Sequence, residues 1–157
     1  MDALAEKHST QDREDADDMG RVAVRIQLVN AADEELRARR KLGARHVRAV
    51  ELDALVDTGA TMLSVPEDVL KKLGLRVVRK ATVTYADGRK ETRRIYGPAM
   101  IRVMGRTEFI SVLAGHRGQP ALLGQIPLEG LDLHVDPKGR QLVPNPASPD
   151  MPSVEVY

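Results

Sequence analysis

The chain has 157 residues, 42% of them hydrophobic, which suits one globular domain with polar ends. Its 24 basic and 23 acidic side chains give a formal net charge of +1 and no general electrostatic reason to bind nucleic acid or a membrane. The absence of cysteine excludes disulfides and cysteine nucleophiles, and the scarcity of aromatic residues favours β structure with an aliphatic core.

Residues 1–19 carry seven acidic and two basic side chains and lack the apolar core of a signal peptide. They predict a disordered acidic tail and a cytoplasmic protein. The alternation of Val22, Val24, Ile26 and Leu28 then predicts a half-buried strand. The charged segment 31–45 fits either a short helix or a long excursion between strands. Its basic cluster, Arg37, Arg39, Arg40 and Lys41, is interpreted as a solvated face, because no aromatic residue is interleaved.

The run "HVRAVELDALV" predicts a second strand that ends at Asp57, and "MLSV" predicts a short strand after the loop. Pro66 then opens a short helix, because the N–H that proline lacks has no partner at that position. The helix has Glu67 and Asp68 in its first turn, basic side chains in its last turn and Gly74 as a C-terminal cap.

From residue 76 onward the pattern indicates mainly strands. A long hairpin turns at Asp87-Gly88, and a second one turns at Gly105-Arg106. The apolar run that ends at "LLG", residues 122–124, precedes a short helix begun near Pro127. A last hairpin surrounds residues 136–139, where turn and capping roles are expected of Asp132 and Asp136. Residues 144–157 form a Pro-rich tail, either extended on the surface or disordered.

Asp-Thr-Gly at residues 57–59 is a weak motif by itself, because a given tripeptide occurs by chance in roughly a few per cent of chains of this length. Its context is more specific. The loop "VDTGAT", the strand "MLSVP", the projecting hairpin and the "LLG" ahead of a short helix together resemble the retroviral-type (retropepsin-like) aspartic proteases. The resemblance spans residues 20–143 and is closest to bacterial single-domain members.

The resemblance implies an all-β fold: a closed, mostly antiparallel barrel with one or two short helices, assembled as a two-fold homodimer. It implies an aspartic endopeptidase with Asp57 as the catalytic residue. Such enzymes need two carboxyls sharing one proton, and this chain has a single Asp-Thr-Gly. The second Asp57 would therefore come from the partner subunit. The substrate would be a peptide or protein segment bound as an added strand.

The resemblance assigns roles to other residues as well. Thr58 would hydrogen-bond across the two-fold axis, Gly59 would permit close backbone approach, and Ala60 would line the cleft. The hairpin tip would be the flap that closes over substrate, although it is polar and charged where retroviral flaps are rich in Gly and Ile. The flap residues are Tyr85, Ala86, Asp87, Gly88 and Arg89, and the residues that would support the active-site loop are Leu122, Leu123 and Gly124.

Alternatives remain open at this stage. Asp57 could be a structural aspartate that caps its own turn, and Tyr85 could pack along a strand instead of covering the site. The chain could also be a catalytically silent protein-binding or dimerisation module on the same fold, or a different small β domain with a coincidental motif. Four scattered histidines show no ligand spacing, so we expect neither a metal site nor a cofactor.

Overall fold

The computed structural model describes residues 22–156, so the predicted acidic tail at residues 1–19 lies outside the described residues. Residues 22–156 contain nine strands. They are β1 (Ala23–Asn30), β2 (Ala49–Val56), β3 (Leu63–Pro66), β4 (Arg76–Thr84), β5 (Lys90–Val103), β6 (Arg106–Gly115), β7 (Ala121–Leu123), β8 (Leu133–Asp136) and β9 (Gln141–Pro144).

Six of these strands close into a barrel. The order β1-β2-β7-β3-β6-β5 forms a ring because β5 also pairs with β1, while β4 extends the sheet from the other edge of β5. Most pairings are antiparallel, and β2–β7 and β3–β6 are the parallel ones among the described strands. The predicted all-β, closed and mostly antiparallel fold is therefore confirmed. The fully buried aliphatic side chains that fill it include Ile26, Leu28, Leu63, Ile101 and Leu123.

Short helices connect the strands: α1 (Ala31–Ala38), α2 (Glu67–Lys72), α3 (Gln125–Leu131) and a 3-10 turn at Ala44–His46. Helix α1 shows that the charged segment 31–45 begins as a helix. Helix α2 has the predicted charges at both ends, and Gly74 beyond it has a φ of 69°, a conformation that glycine adopts without steric cost. Helix α3 begins two residues before Pro127, which leaves proline in the first turn, where it removes no intrahelical bond.

The second hairpin turns one residue earlier than predicted. Met104 and Gly105 form the loop, with φ values of 51° and 78°, and Arg106 already pairs with Val103. Two consecutive residues of positive φ match the right-handed twist of the flanking strands, which explains why the turn settles there.

The segment after β9 is tied to the end of α3 by a set of contacts that we call the C-terminal clasp (Arg106, Asp132, Asn145, Ser148 and Ser153). The buried Arg106 guanidinium donates to the carbonyl oxygens of Asp132, at 2.7 Å, and Ser148, at 2.6 Å. The Asp132 carboxylate accepts from the Asn145 amide, the Ser148 hydroxyl and the Ser153 N–H. The Pro-rich segment is thus anchored on the domain surface as far as Ser153.

Within residues 22–156, no helix has both the length and the apolar character that crossing a membrane requires.

Candidate active site

Asp57 lies at the end of β2, at the start of the connection to β3 that we call the Asp57 loop (residues 57–62). Strand β7 lies between β2 and β3 and pairs with both of them. The Asp57 N–H donates to the Leu123 carbonyl oxygen at 3.0 Å. The backbone of Asp57 is therefore fixed by the strand that separates the two ends of its own loop.

The Asp57 carboxylate also organises the loop directly. Its Oδ1 accepts a hydrogen bond from the Gly59 N–H at 3.0 Å, and the Asp57 carbonyl oxygen accepts from the Ala60 N–H at 3.1 Å. The first of these bonds is the Asx-turn expected of a structural aspartate. Within residues 22–156, Oδ2 accepts no hydrogen bond, and the side chain is partly exposed. The geometry thus combines a turn role for Oδ1 with an Oδ2 that is available to a ligand.

Helix α3 holds the loop from the other side. The N–H groups of Gln125 and Ile126 donate to the carbonyl oxygens of Ala60 and Thr61, at 2.8 and 2.9 Å. The first N–H groups of a helix have no partner within the helix, so the Asp57 loop satisfies donors that would otherwise be orphaned. This contact explains in physical terms why "LLG" followed by a helix accompanies Asp-Thr-Gly in the sequence.

Gly124 allows this close approach. A Cβ at this position would lie 2.4 Å from the Met62 carbonyl oxygen and 2.7 Å from that of Ala60. Leu123 is fully buried beside it, and Leu122 pairs in register with Leu55 and Ser64. Leu123 and Gly124 therefore contact the Asp57 loop directly, and Leu122 lies between the two strands that flank the loop.

The predicted flap is the tip of the β4–β5 hairpin, and its own side chains hold its shape. The Tyr85 N–H donates to the Arg89 carbonyl oxygen at 2.8 Å, and Gly88 has a φ of 85°. The Arg89 guanidinium donates to Asp87 at 2.6 Å and lies 5.2 Å from the centre of the Tyr85 ring. Ala86 completes the exposed tip.

Tyr85 contacts the hairpin stem. Its hydroxyl donates to Glu91 at 2.6 Å and accepts from Arg93 at 3.4 Å, and the bond to Glu91 raises the pKa of Tyr85. Within residues 22–156, no hydrogen bond or ion pair joins the flap to the Asp57 loop. The flap and the Asp57 loop are thus two separately organised parts of the candidate site, and the flap role remains a prediction.

Two surface features beside the loop were missed by the sequence reasoning. Thr58, which is exposed, borders a groove of about 360 Å³ that also includes Leu128 and Val135. Met62 borders an apolar cavity of about 260 Å³ with Phe109 and Ile126. The exposed fractions of Phe109 and Ile126 are 63% and 55%, large for apolar residues. The single Phe of the chain was the sequence feature that could have indicated this apolar surface, but its exposure depends on which face of β6 it occupies.

Within the described residues, no three His, Asp or Glu side chains cluster as metal ligands would.

Comparisons with known proteins identify the class. Residues 45–129 match the model of the family described as "gag-polyprotein putative aspartyl protease". The solved structures that match include the solution structure of the simian foamy virus (mac) protease, which is 20% identical in sequence. That match covers 68% of this chain and 90% of the viral chain, with a TM-score of 0.43. No curated protein sequence matches the chain.

The family match covers more than half of the chain and includes Asp57 and "LLG". The chain belongs to the retroviral-type aspartyl protease family.

Proposed function

We propose that the protein is an aspartic endopeptidase that cleaves peptide or protein segments with a dyad of Asp57 carboxyls from two copies of the chain. The observation that carries the proposal is the Asp57 loop, in which the backbone is fixed by β7 and α3 while Oδ2 has no partner among the described residues. The family match over residues 45–129 supports the same chemistry.

The reaction would follow from two carboxyls that share one proton, the pattern that is characteristic of aspartic proteases. The ionised carboxyl takes a proton from a water molecule, and the water oxygen attacks the peptide carbonyl carbon. The protonated carboxyl donates to the carbonyl oxygen and stabilises the tetrahedral intermediate. When the carbon–nitrogen bond breaks, the leaving amine takes a proton from the dyad, and the shared proton is restored.

The substrate would bind as an extended strand, through backbone hydrogen bonds between the flap and the Asp57 loop. The apolar cavity beside the loop, at Met62, Phe109 and Ile126, would then accept an apolar substrate side chain. Burial of these exposed side chains against substrate supplies binding energy without any charged contact.

The proposal is tested by Asp57→Asn. Asparagine keeps an oxygen that can accept from the Gly59 N–H, so the loop should retain its turn and the protein its fold. It cannot take the proton of the attacking water, and we expect kcat to fall by about 10²-fold to 10⁴-fold. The measurement is cleavage of a mixed peptide library, with and without a statine-type transition-state analogue.

Asp53→Asn is the matched control, because Asp53 lies on the same strand with an exposed side chain and should leave cleavage unchanged. Cleavage by Asp57→Asn at the parental rate would contradict a catalytic role for Asp57. A parental protein that binds the analogue but cleaves no peptide would favour the alternative of a silent binding module.

A further inference from the structure

The carboxylate of Glu91 contacts both the tip of the flap hairpin and the body of the domain. Its Oε2 accepts a hydrogen bond from the Tyr85 hydroxyl at 2.6 Å and lies 3.5 Å from Nε2 of His116. Tyr85 belongs to the flap tip, whereas His116 follows β6 and lies outside the hairpin. We call these three residues, Tyr85, Glu91 and His116, the flap tether.

The His116 end of the tether is fixed by the barrel. Gly115, directly before it, pairs with Pro66 of β3. The His116 carbonyl oxygen accepts from the Gln119 N–H at 3.2 Å, and Gly118 has a φ of 79°, which is the arrangement of a type II turn. This turn leads directly into β7, the strand that holds the Asp57 loop. His116 is therefore a fixed point against which the flap can be held.

The Tyr85 end of the tether shapes the flap tip. In the β4–β5 register Glu91 lies opposite Val83, so its carboxylate is at the junction of the hairpin stem and the tip. The Tyr85 hydroxyl also accepts from Arg93 at 3.4 Å, and the Arg89 guanidinium lies 5.2 Å from the centre of the Tyr85 ring. The position of the tip thus depends on where the Glu91 carboxylate is held.

The charge on His116 decides how strongly the tether holds. A histidine side chain changes its charge between about pH 5 and 8. The hydrogen bond from Tyr85 lowers the pKa of Glu91, and the positive charges of Arg93 and His116 act in the same direction, so Glu91 stays ionised throughout that range. The tether therefore contains an ion pair at the acidic end of the range and a neutral histidine at the alkaline end. Its attraction is present at low pH and is lost as the pH rises.

Other charged groups face the same space, a cavity of about 500 Å³ beside α2. The charged side chains that line it with His116 are Glu67, Asp68 and Lys71 on α2, Lys80 on β4, Glu91, Arg93 and Arg94 on β5, and Arg117. The Arg94 guanidinium donates to Glu67 at 2.7 Å, so that carboxylate is engaged within the protein. The carboxylate of Glu91 lies within ion-pair distance of His116. Because the neighbouring cations repel a protonated His116, Glu91 supplies the opposite charge that compensates it.

We propose that Glu91 and His116 are positioning residues for the flap: their ion pair holds the flap tip to the domain in acidic solution and releases it as the pH rises. The pair exists in the held conformation and is broken when the tip lifts, so protonation of His116 favours the held conformation. A partly exposed ion pair shifts such an equilibrium by about 1.5-fold to 5-fold. The consequence for substrate entry rests on the proposed protease function, whereas the tether itself does not.

The absence of cysteine in the chain allows a direct test by double electron–electron resonance. Nitroxide labels are attached at Ala86→Cys in the tip and at Gln119→Cys in the turn after His116, both of which are exposed positions. Labelled protein is diluted with excess unlabelled protein, so that the measured distances lie within one chain. We expect the fraction of long tip-to-turn distances to be about 1.5-fold to 5-fold larger at pH 8 than at pH 5.

Three variants separate the tether from other sources of pH dependence. In Glu91→Gln and in His116→Gln the distance distribution should be the same at both pH values, because one partner of the ion pair can no longer be charged. Tyr85→Phe should also lose the pH response, since Glu91 then has no hydrogen bond to the tip. His46→Gln is the matched control, because His46 is exposed outside the cavity and its loss should leave the response unchanged.

An equal fraction of long distances at pH 5 and pH 8 in the parental chain would overturn the proposal. So would a parental pH response in Glu91→Gln or in His116→Gln. A response retained in Tyr85→Phe would contradict the part assigned to the Tyr85 hydroxyl. Because no peptide cleavage is measured, failure of the proposed protease function would leave this result unchanged.

Discussion

At the scale of single residues, the site depends on a glycine as much as on its aspartate. Gly124 lets the end of β7 lie against the carbonyl oxygens of the Asp57 loop, and the start of α3 then bonds to the same loop. A side chain at position 124 would push the loop away from both contacts. The position of Asp57 thus depends on the absence of a Cβ atom at residue 124.

We therefore expect Gly124→Ala to destabilise the protein by about 1–3 kcal/mol or more, because the new Cβ meets backbone atoms that cannot rotate away. Peptide cleavage should fall as well, since the loop must shift. Urea unfolding measures the first effect and a peptide assay the second. Gly43→Ala is the control: its Cβ would have an ordinary 3.5 Å contact with a side chain, and its φ is −68°. Equal stability of the two variants would contradict this account of Gly124.

Some of these residue contacts could be predicted from the sequence and others could not. The Asp-Thr-Gly loop, the flap tip at Asp87-Gly88 and the turn roles of Asp132 and Asp136 follow from local chemistry that the sequence displays. The contact between Gly124 and the Met62 carbonyl joins residues 62 positions apart. Only the threading of β7 between β2 and β3 creates it, so no local pattern could show it.

At the scale of elements, helix α1 could not be predicted from hydrophobic periodicity. Its buried residues are Ala31 and Asp33, so it has no apolar stripe. It is held instead by polar contacts: the Asn30 side chain caps it and donates to the Leu73 carbonyl oxygen, and Asp33 pairs with Arg48. The Arg48 hydrogen bond lowers the pKa of Asp33. By contrast, α2 was predictable because its end charges match the helix dipole.

The C-terminal clasp makes an element-scale prediction about pH. Hydrogen bonds from Ser148, Ser153 and Asn145 lower the pKa of Asp132 from 3.8 to about 2. A folded-state pKa below the unfolded value means that the carboxylate stabilises the fold above about pH 4, and that this contribution is lost as the pH falls to 2. Asp132→Asn should therefore be less stable than the parent at pH 6, and the difference should shrink by pH 2.5.

The measurement is urea unfolding of both proteins at the two pH values. Asp150→Asn serves as control, because Asp150 is exposed nearby and should match the parent within about 0.5 kcal/mol at both pH values. A stability difference between Asp132→Asn and the parent that is as large at pH 2.5 as at pH 6 would contradict the assigned role of the carboxylate.

At the scale of the whole molecule, the proposed reaction needs two Asp57 carboxyls, and one chain carries one Asp57. The sequence contains one Asp-Thr-Gly, and the described structure leaves apolar surface beside it. Thr58 borders a groove with Leu128 and Val135, and past the clasp Val154 and Val156 are 84% and 91% exposed. A self-complementary interface of two copies would cover such surface and bring two Asp57 loops together. We expect these terminal valines to belong to that interface, because the preceding Ser153 bonds to Asp132, which borders the same groove as Thr58.

The last prediction is that dimerisation and cleavage fail together. V154D/V156D would place two desolvated carboxylates in the proposed interface, so we expect the dimer dissociation constant to rise at least tenfold. Sedimentation velocity over a dilution series measures the constant, and specific cleavage activity should fall over the same concentrations. Leu36→Asp is the control, because Leu36 is an exposed apolar residue, 42% accessible, on α1.

Excess Asp57→Asn added to the parent should also lower its activity, because a mixed dimer holds one ionisable Asp57 instead of two. A monomer that cleaves at full rate at high dilution would refute the shared dyad and leave Asp57 to act without a partner copy.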